Sequence, residues 1–138
     1  MKRCILLLLF LCCTGCASWF QRPYGWRFPD AIKDQCFAAS NEAKSRIIAA
    51  GGVPRERSGL KVVTRPGEAK VGGLWSWKEG NTWVAGLYTS GYITVAVNPN
   101  NPADVNFEVL VHECAHAWLE SEESVHPAQY RNKFILWR

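Results

Sequence analysis

Two histidines and a glutamate in the C-terminal third of the chain have a spacing that allows metal-assisted chemistry. The segment His112-Glu113-Cys114-Ala115-His116 fits the pattern H-E-x-x-H. Residues four apart lie on one face of a helix, so His112 and His116 can offer imidazole nitrogens to one zinc ion. Glu113 points about 100° further round the helix, where it would hold the attacking water rather than bind the metal. The motif therefore predicts metal-assisted hydrolysis of peptide bonds, with Glu113 as general base.

The flanks of the motif predict that its helix is buried. A helix that is apolar all round lies in a protein interior, and apolar residues surround the motif at Phe107, Val109, Leu110, Val111, Ala115, Ala117, Trp118 and Leu119. Buried polar side chains need partners, because an unpaired one costs several kcal/mol. A metal ion is one such partner. The alternative is that the two histidines lie in the core with hydrogen bonds to backbone carbonyls, and that Glu113 lies at a solvent-exposed edge.

A third protein ligand is expected, and His126 is the remaining histidine of the chain. Glu120 competes for this role, but it follows His112 by eight residues, about 12 Å along a helix axis. One ion cannot easily bind both of them. Glu122 and Glu123 are candidates only if the chain reverses its direction directly after the helix. The alternative for His126 is a solvent-exposed loop histidine.

The residues after His126 predict a short last helix. Proline is favourable at the first helical position, so the expected helix runs from Pro127 to Trp137, with His126 at its start. Tyr130, Phe134 and Trp137 form an apolar stripe with which this helix can dock. Tyr130 is also the first candidate for a side chain that stabilises the oxyanion formed during hydrolysis.

The order of these features resembles the SprT-like and YgjP-like zincin metallopeptidases. A short strand (93–97) leads to Asn98-Pro99, then to the buried H-E-x-x-H helix, and then to His126 with an aromatic residue four positions later. The resemblance covers about 40 residues. It implies a zincin-like fold, Zn²⁺ held by three histidines, and a packing role for Tyr130 behind the site. The cysteine-rich zinc ribbon of some members is absent, so their DNA-repair roles do not carry over. The sequence also lacks the metzincin spacing H-E-x-x-H-x-x-G-x-x-H, because the third histidine follows the second by ten residues rather than six.

The remaining chain predicts one α+β domain over residues 30–138. We expect an N-terminal helix, about four mainly antiparallel strands, the active-site helix and the short last helix. Asp30 would cap the first helix, and Asn101 would cap the active-site helix with Pro102 as its first residue. The expected bounds are Ala31–Ala50 for the first helix and Leu60–Thr64, Leu74–Trp77, Thr82–Tyr88 and Tyr92–Val97 for the strands.

Two ways of binding a partner follow from the strand segment. If Tyr92–Val97 is an exposed sheet edge, a peptide substrate could add to it as a further strand. The alternative to a peptidase is a non-catalytic envelope lipoprotein that binds glycan or a protein partner through a Trp-rich sheet face. Trp75 and Trp77 share one face, Trp83 follows on the next strand, and aromatic platforms of this kind bind sugars. Tryptophans that simply fill a small core are a further alternative.

The N-terminus has the pattern of an export signal. Lys2 and Arg3 precede a short apolar run, too short to span a bilayer. Thr14-Gly15-Cys16 resembles a bacterial lipobox, which implies a signal peptide over 1–15 and a lipid anchor on Cys16. Residues 16–29 would form a tether at the cell envelope, on the periplasmic face of the outer membrane. Without lipidation of Cys16, the protein would be secreted.

Charge and cysteine content complete the sequence-based expectations. The formal charge of +4 falls to +2 without Lys2 and Arg3, and no basic run is interleaved with aromatic residues, so no nucleic-acid partner is expected. Cys36 and Cys114 remain unassigned once the signal peptide and Cys16 are set aside. An even pair in an oxidising compartment suggests a disulfide. Two inert core thiols are the alternative, and the sequence does not specify an oligomeric state.

Overall fold

The computed structural model describes residues 25–55, 58–121 and 126–134. The expected signal peptide, the lipidation site Cys16 and most of the expected tether lie outside these ranges, as do Glu122, Glu123 and residues 135–138. Within the described ranges, no helix combines the length and apolar character needed to cross a membrane.

The fold is α+β, as the sequence predicts. Two α-helices and two small sheets make up the described part, with 3₁₀ turns at Asp30–Ile32 and Ala128–Tyr130. The helices are α1 (Lys33–Ala49) and α2 (Phe107–Leu119). The strands are β1 (Lys61–Pro66), β2 (Ala69–Val71), β3 (Leu74–Glu79), β4 (Thr82–Val84), β5 (Gly86–Thr89), β6 (Tyr92–Asn98) and β7 (Asn101–Val105).

Strand β6 is the centre of the larger sheet. It pairs in parallel with β1 and antiparallel with both β5 and β7. The expectation that Tyr92–Val97 is an exposed edge is therefore wrong, because neighbours occupy both sides of this strand. Its apolar composition fits a central strand, with Ile93, Val95, Ala96 and Val97 all buried. Strand β5 pairs only with β6 among the described strands, so β5 is an edge of the sheet.

The three tryptophans of the smaller sheet do not share one face. This sheet has the order β2-β3-β4, and Trp83 pairs directly with Lys78. Directly paired residues share a face, while residues along a strand alternate, so Trp83 lies opposite to Trp75 and Trp77. Trp77 is 1% exposed and donates its indole N–H to Glu79, whereas Trp83 is 40% exposed. The expected aromatic platform is therefore divided between the two faces.

Helix α1 packs against α2 through small side chains. Its buried face includes Cys36, Ala39, Ser40 and Ala43, which allow a close approach of the two helices. The indole N–H of Trp118 in α2 donates to the Ser40 carbonyl at 2.9 Å. These contacts hold the motif helix between α1 and the sheet.

The beginning of α2 differs from the sequence prediction. Asn106, not Asn101, caps the helix, and its side-chain oxygen accepts the Val109 N–H at 3.1 Å. Residues 101–105 form β7 because they find backbone partners on β6, which outweighs the local preference of Pro102 for a helix start. In the first turn of α2, Glu108 accepts two hydrogen bonds of 2.9 Å from Arg46. This guanidinium holds the pKa of the Glu108 carboxyl below its usual range.

The last helix is shorter than predicted. The chain makes one 3₁₀ turn at Ala128–Tyr130 and then a further turn, rather than an α-helix that starts at Pro127. Two residues of the expected apolar stripe, Tyr130 and Phe134, are nevertheless buried, with their ring centroids 6.4 Å apart, while Trp137 lies outside the described residues.

Cys36 and Cys114 are separate buried thiols in the structure, not a disulfide. Burial raises the pKa of the Cys36 thiol to about 12. Burial also raises the pKa of Cys114, and so does charge on the neighbouring Cys36. Because the thiolate is the reactive form, neither sulfur is activated as a nucleophile or metal ligand in the native protein.

Thiol counting in variants checks the state of this pair. Both thiols are free in the structure, so Cys36→Ala and Cys114→Ala should each lower the thiol count of the denatured, unreduced protein by one. If the two are bridged, either substitution frees the partner and raises the count by one. Titration with Ellman's reagent measures this number, and the difference from wild type does not depend on the other cysteines.

Candidate metal centre

Helix α2 places three polar side chains of the motif inside the protein. His116 is 0% exposed, Glu113 2% and His112 7%, within a run of ten consecutive buried residues from Val109 to Trp118. Burial on every side follows from the apolar flanks, as the sequence predicts. The two imidazoles lie one turn apart on the same face, with their ring centroids separated by 4.8 Å.

The third histidine comes to the same place from beyond the helix. His126 is half-buried, and its ring centroid lies 5.1 Å from that of His116 and 5.2 Å from that of His112. The structure therefore brings together the three histidines that the sequence predicts. Each of the three can offer one ligand atom to an ion, and these three atoms lie within 4.8 Å of one another. Among the described His, Cys, Asp and Glu side chains, this is the group that could hold a metal ion.

The nitrogen separations match those of a metal site. His112 Nε2 lies 3.1 Å from His116 Nε2, which lies 3.3 Å from His126 Nε2. Two nitrogens bound at 2.0–2.1 Å to a tetrahedral zinc ion are about 3.3 Å apart. The three side chains thus fit such an ion without a large rearrangement.

The arrangement of protons and lone pairs on the imidazole nitrogens also favours a bound cation. A ring nitrogen carries either one N–H or one lone pair. His116 Nε2 faces two other nitrogens, so it can form a hydrogen bond with only one of them at a time. A metal ion could accept lone pairs from all three nitrogens together. The donor set of three neutral imidazoles is one that zinc prefers.

The end of α2 orients His116. Glu120 adopts a left-handed conformation (φ 50°), and the Ser121 N–H donates to the His116 carbonyl at 3.0 Å. This tight turn brings the Ser121 hydroxyl to 3.0 Å from His116 Nδ1. With Nδ1 as the donor in this contact, Nε2 keeps its lone pair for a metal. The side chain of Glu120 faces Arg55 at 3.8 Å, and Glu120 is not a member of the histidine group.

Glu113 lies against a strand that approaches the helix closely. A Cβ atom on Gly86 would lie only 2.6 Å from Glu113 Oε1 and 2.7 Å from Val109 Cγ1. Because a glycine occupies this position, β5 can run directly beside the carboxylate. Further along β5, the buried Tyr88 ring lies parallel to the His116 ring, with the centroids 6.3 Å apart.

Tyr130 is buried beside the C-terminal end of α1. Its hydroxyl lies against Gly52, where a Cβ atom would overlap it. These contacts describe how the ring is packed, and the expected part of Tyr130 in stabilising the oxyanion stays a prediction.

Three residues of the site were missed by sequence reasoning: Ser121, Gly86 and Tyr88. Ser121 follows the motif by five residues, but its role depends on the left-handed turn at Glu120, which a glutamate does not signal. Gly86 interrupts the expected strand Thr82–Tyr88. A glycine inside a strand pattern often marks the close approach of another part of the chain. The sequence therefore did contain a signal for the contact at Gly86.

Comparisons with known proteins identify no relative: no family model, curated protein or solved structure matches this chain.

Ser121→Ala tests the orienting contact at His116. Loss of the hydroxyl frees the imidazole to rotate or change tautomer, and zinc affinity is expected to fall about 10- to 100-fold. Competition with a chromophoric chelator measures the affinity. Ser58→Ala, on an exposed turn, is the matched control and should bind zinc like wild type. Equal affinity in Ser121→Ala would show that the hydroxyl does not orient the ligand.

Proposed function

We propose that this protein is a zinc-dependent peptidase of the cell envelope. The observation that carries the proposal is the convergence of His112, His116 and His126, with nitrogen separations of 3.1 and 3.3 Å. Glu113 follows the first of these ligands and is almost fully buried. Three imidazoles with one adjacent carboxylate are the side chains that hydrolysis by an H-E-x-x-H site requires.

Each side chain has a separate part in the proposed reaction. A zinc ion held by the three imidazoles would supply Lewis acidity, which lowers the pKa of a water and polarises the scissile carbonyl. The Glu113 carboxylate accepts the proton of the attacking water and later delivers it to the leaving amine. Ser121 holds the His116 ring in the orientation that directs Nε2 towards the other two imidazoles.

The free side of strand β5, at the edge of the larger sheet, is a reason to propose a peptide as the substrate. Strand β5 has one side without a described strand partner, and residues 82–87 line a cavity that also includes His112 and Glu113. A peptide added as a strand at this edge would form main-chain hydrogen bonds that depend little on sequence. Its carbonyls would pass beside the Glu113 carboxylate.

The proposed location depends on the N-terminal pattern. A lipid on Cys16 would hold the domain at the membrane surface, on the periplasmic face of the outer membrane, and export without lipidation would release it. The substrates would then be proteins or peptides of that compartment. We propose no nucleic-acid partner, because the charge and sequence pattern offer no basic aromatic surface.

Glu113→Gln tests the proposed activity. The substitution keeps size and polarity but removes the base, so cleavage by the zinc-loaded protein should fall about 10²- to 10⁴-fold. Zinc content should stay at the wild-type level, because Glu113 is not a ligand. A fluorogenic peptide library measures cleavage, and elemental analysis measures zinc.

Glu120→Gln is the matched control, since Glu120 lies just after the same helix but outside the histidine group. It should cleave like wild type. Zinc-loaded Glu113→Gln protein with wild-type activity would rule out the acid/base role. Stoichiometric zinc in a wild-type protein that cleaves no peptide would instead indicate a purely structural metal.

A further inference from the structure

An apolar cavity lies directly beside the metal centre. Its volume is about 320 Å³, and one wall is formed by consecutive residues from Thr82 to Leu87. The opposite wall is formed by Val109, His112 and Glu113 of α2. Since two motif residues line the cavity, any group bound there is adjacent to the reacting bond.

The lining favours an apolar side chain over a charged one. Trp83, Val84, Leu87 and Val109 supply apolar surface. His112 and Glu113 are the ionisable side chains of this lining, and both are assigned to the reaction. A charged side chain of a substrate would lose its hydration without gaining a partner of its own.

The size of the cavity suits one large side chain. An apolar cavity of about 150 Å³ is enough to hold benzene, so 320 Å³ accommodates an aromatic ring or a branched aliphatic chain. Gly86 fixes one side of the space, because β5 and α2 come too close there for a Cβ atom. Trp83, which is 40% exposed, leaves much of its ring available to a ligand.

Trp83 has a cationic neighbour that does not line the cavity. Lys78, its direct partner on β3, places Nζ 5.7 Å from the centroid of the Trp83 ring. A cation above an aromatic face is attracted to it, so this contact favours the observed position of the indole.

We propose that this cavity is the subsite that selects the substrate, and that it accepts a large apolar side chain, such as Phe or Leu, next to the scissile bond. Trp83 is then a specificity-determining residue. The inference rests on the proposed peptidase function and adds the substrate class to it.

The test uses the zinc-loaded full chain and a peptide mixture in which the residues around potential cleavage sites vary. Mass spectrometry of the products should show Phe or Leu at one fixed position beside the cleaved bond. For matched peptides, the ratio of kcat/KM for Phe over Ala at that position should fall at least about tenfold in Trp83→Ala. Trp83→Phe, which keeps an aromatic wall, should retain most of the preference. Tyr92→Ala removes another exposed aromatic, on β6, which does not line the cavity, and should leave the ratio unchanged.

A binding measurement separates this inference from the proposed activity. Zinc-loaded Glu113→Gln protein should bind the Phe peptide more tightly than the Ala peptide in a fluorescence polarisation assay. Adding Trp83→Ala should remove the difference. Cleavage by wild type without an apolar preference would overturn the subsite and leave the peptidase function intact. Trp83-dependent binding without cleavage would support the subsite and contradict the peptidase function. Absence of both cleavage and selective binding would overturn both.

Discussion

The structure depends on bringing three imidazoles to one point in a protein interior. Two of them come from one helical face, where a spacing of four residues is sufficient. The third, His126, comes from a segment ten residues further along the chain, so the helix must end soon after His116. In the structure the three nitrogens face one another, with Nε2–Nε2 separations of 3.1 and 3.3 Å. If they bind a metal ion, as we propose, metal binding and folding are coupled at this centre.

The surrounding elements meet this constraint in two ways: they pack closely around helix α2, and they end this helix soon after His116. Small residues of α1 let the motif helix lie deep in the domain, and Asn106 begins that helix with a side-chain cap. The left-handed turn at Glu120 ends it within one turn of His116, which also brings Ser121 to the ring. Gly86 then allows a sheet edge to pass beside Glu113. The same close approach leaves a cavity where the strand and helix diverge.

Much of the site could be predicted from sequence because its signals are local. The H-E-x-x-H spacing and its apolar flanks were sufficient to place His112, Glu113 and His116 on a buried helix, and the remaining histidine completed the set. Features that depend on long-range pairing were not predictable in this way. Asn101-Pro102 reads as a helix start, but pairing with β6 makes it a strand. The segment Tyr92–Val97 gives no local sign that β1 pairs with it in parallel from thirty residues away. The Ser121 contact depends on a backbone conformation that glutamate rarely adopts.

The most direct measurement of the central claim is zinc K-edge X-ray absorption on the zinc-loaded full chain. If the three histidines bind zinc, the spectrum should show three imidazole nitrogens at about 2.0–2.1 Å, with the multiple-scattering pattern of histidine rings, and one light atom in the remaining position. Replacement of His126 by Ala should remove one imidazole from the fit. A sulfur shell at about 2.3 Å, or an oxygen-only shell that His126→Ala leaves unchanged, would contradict the three-histidine centre.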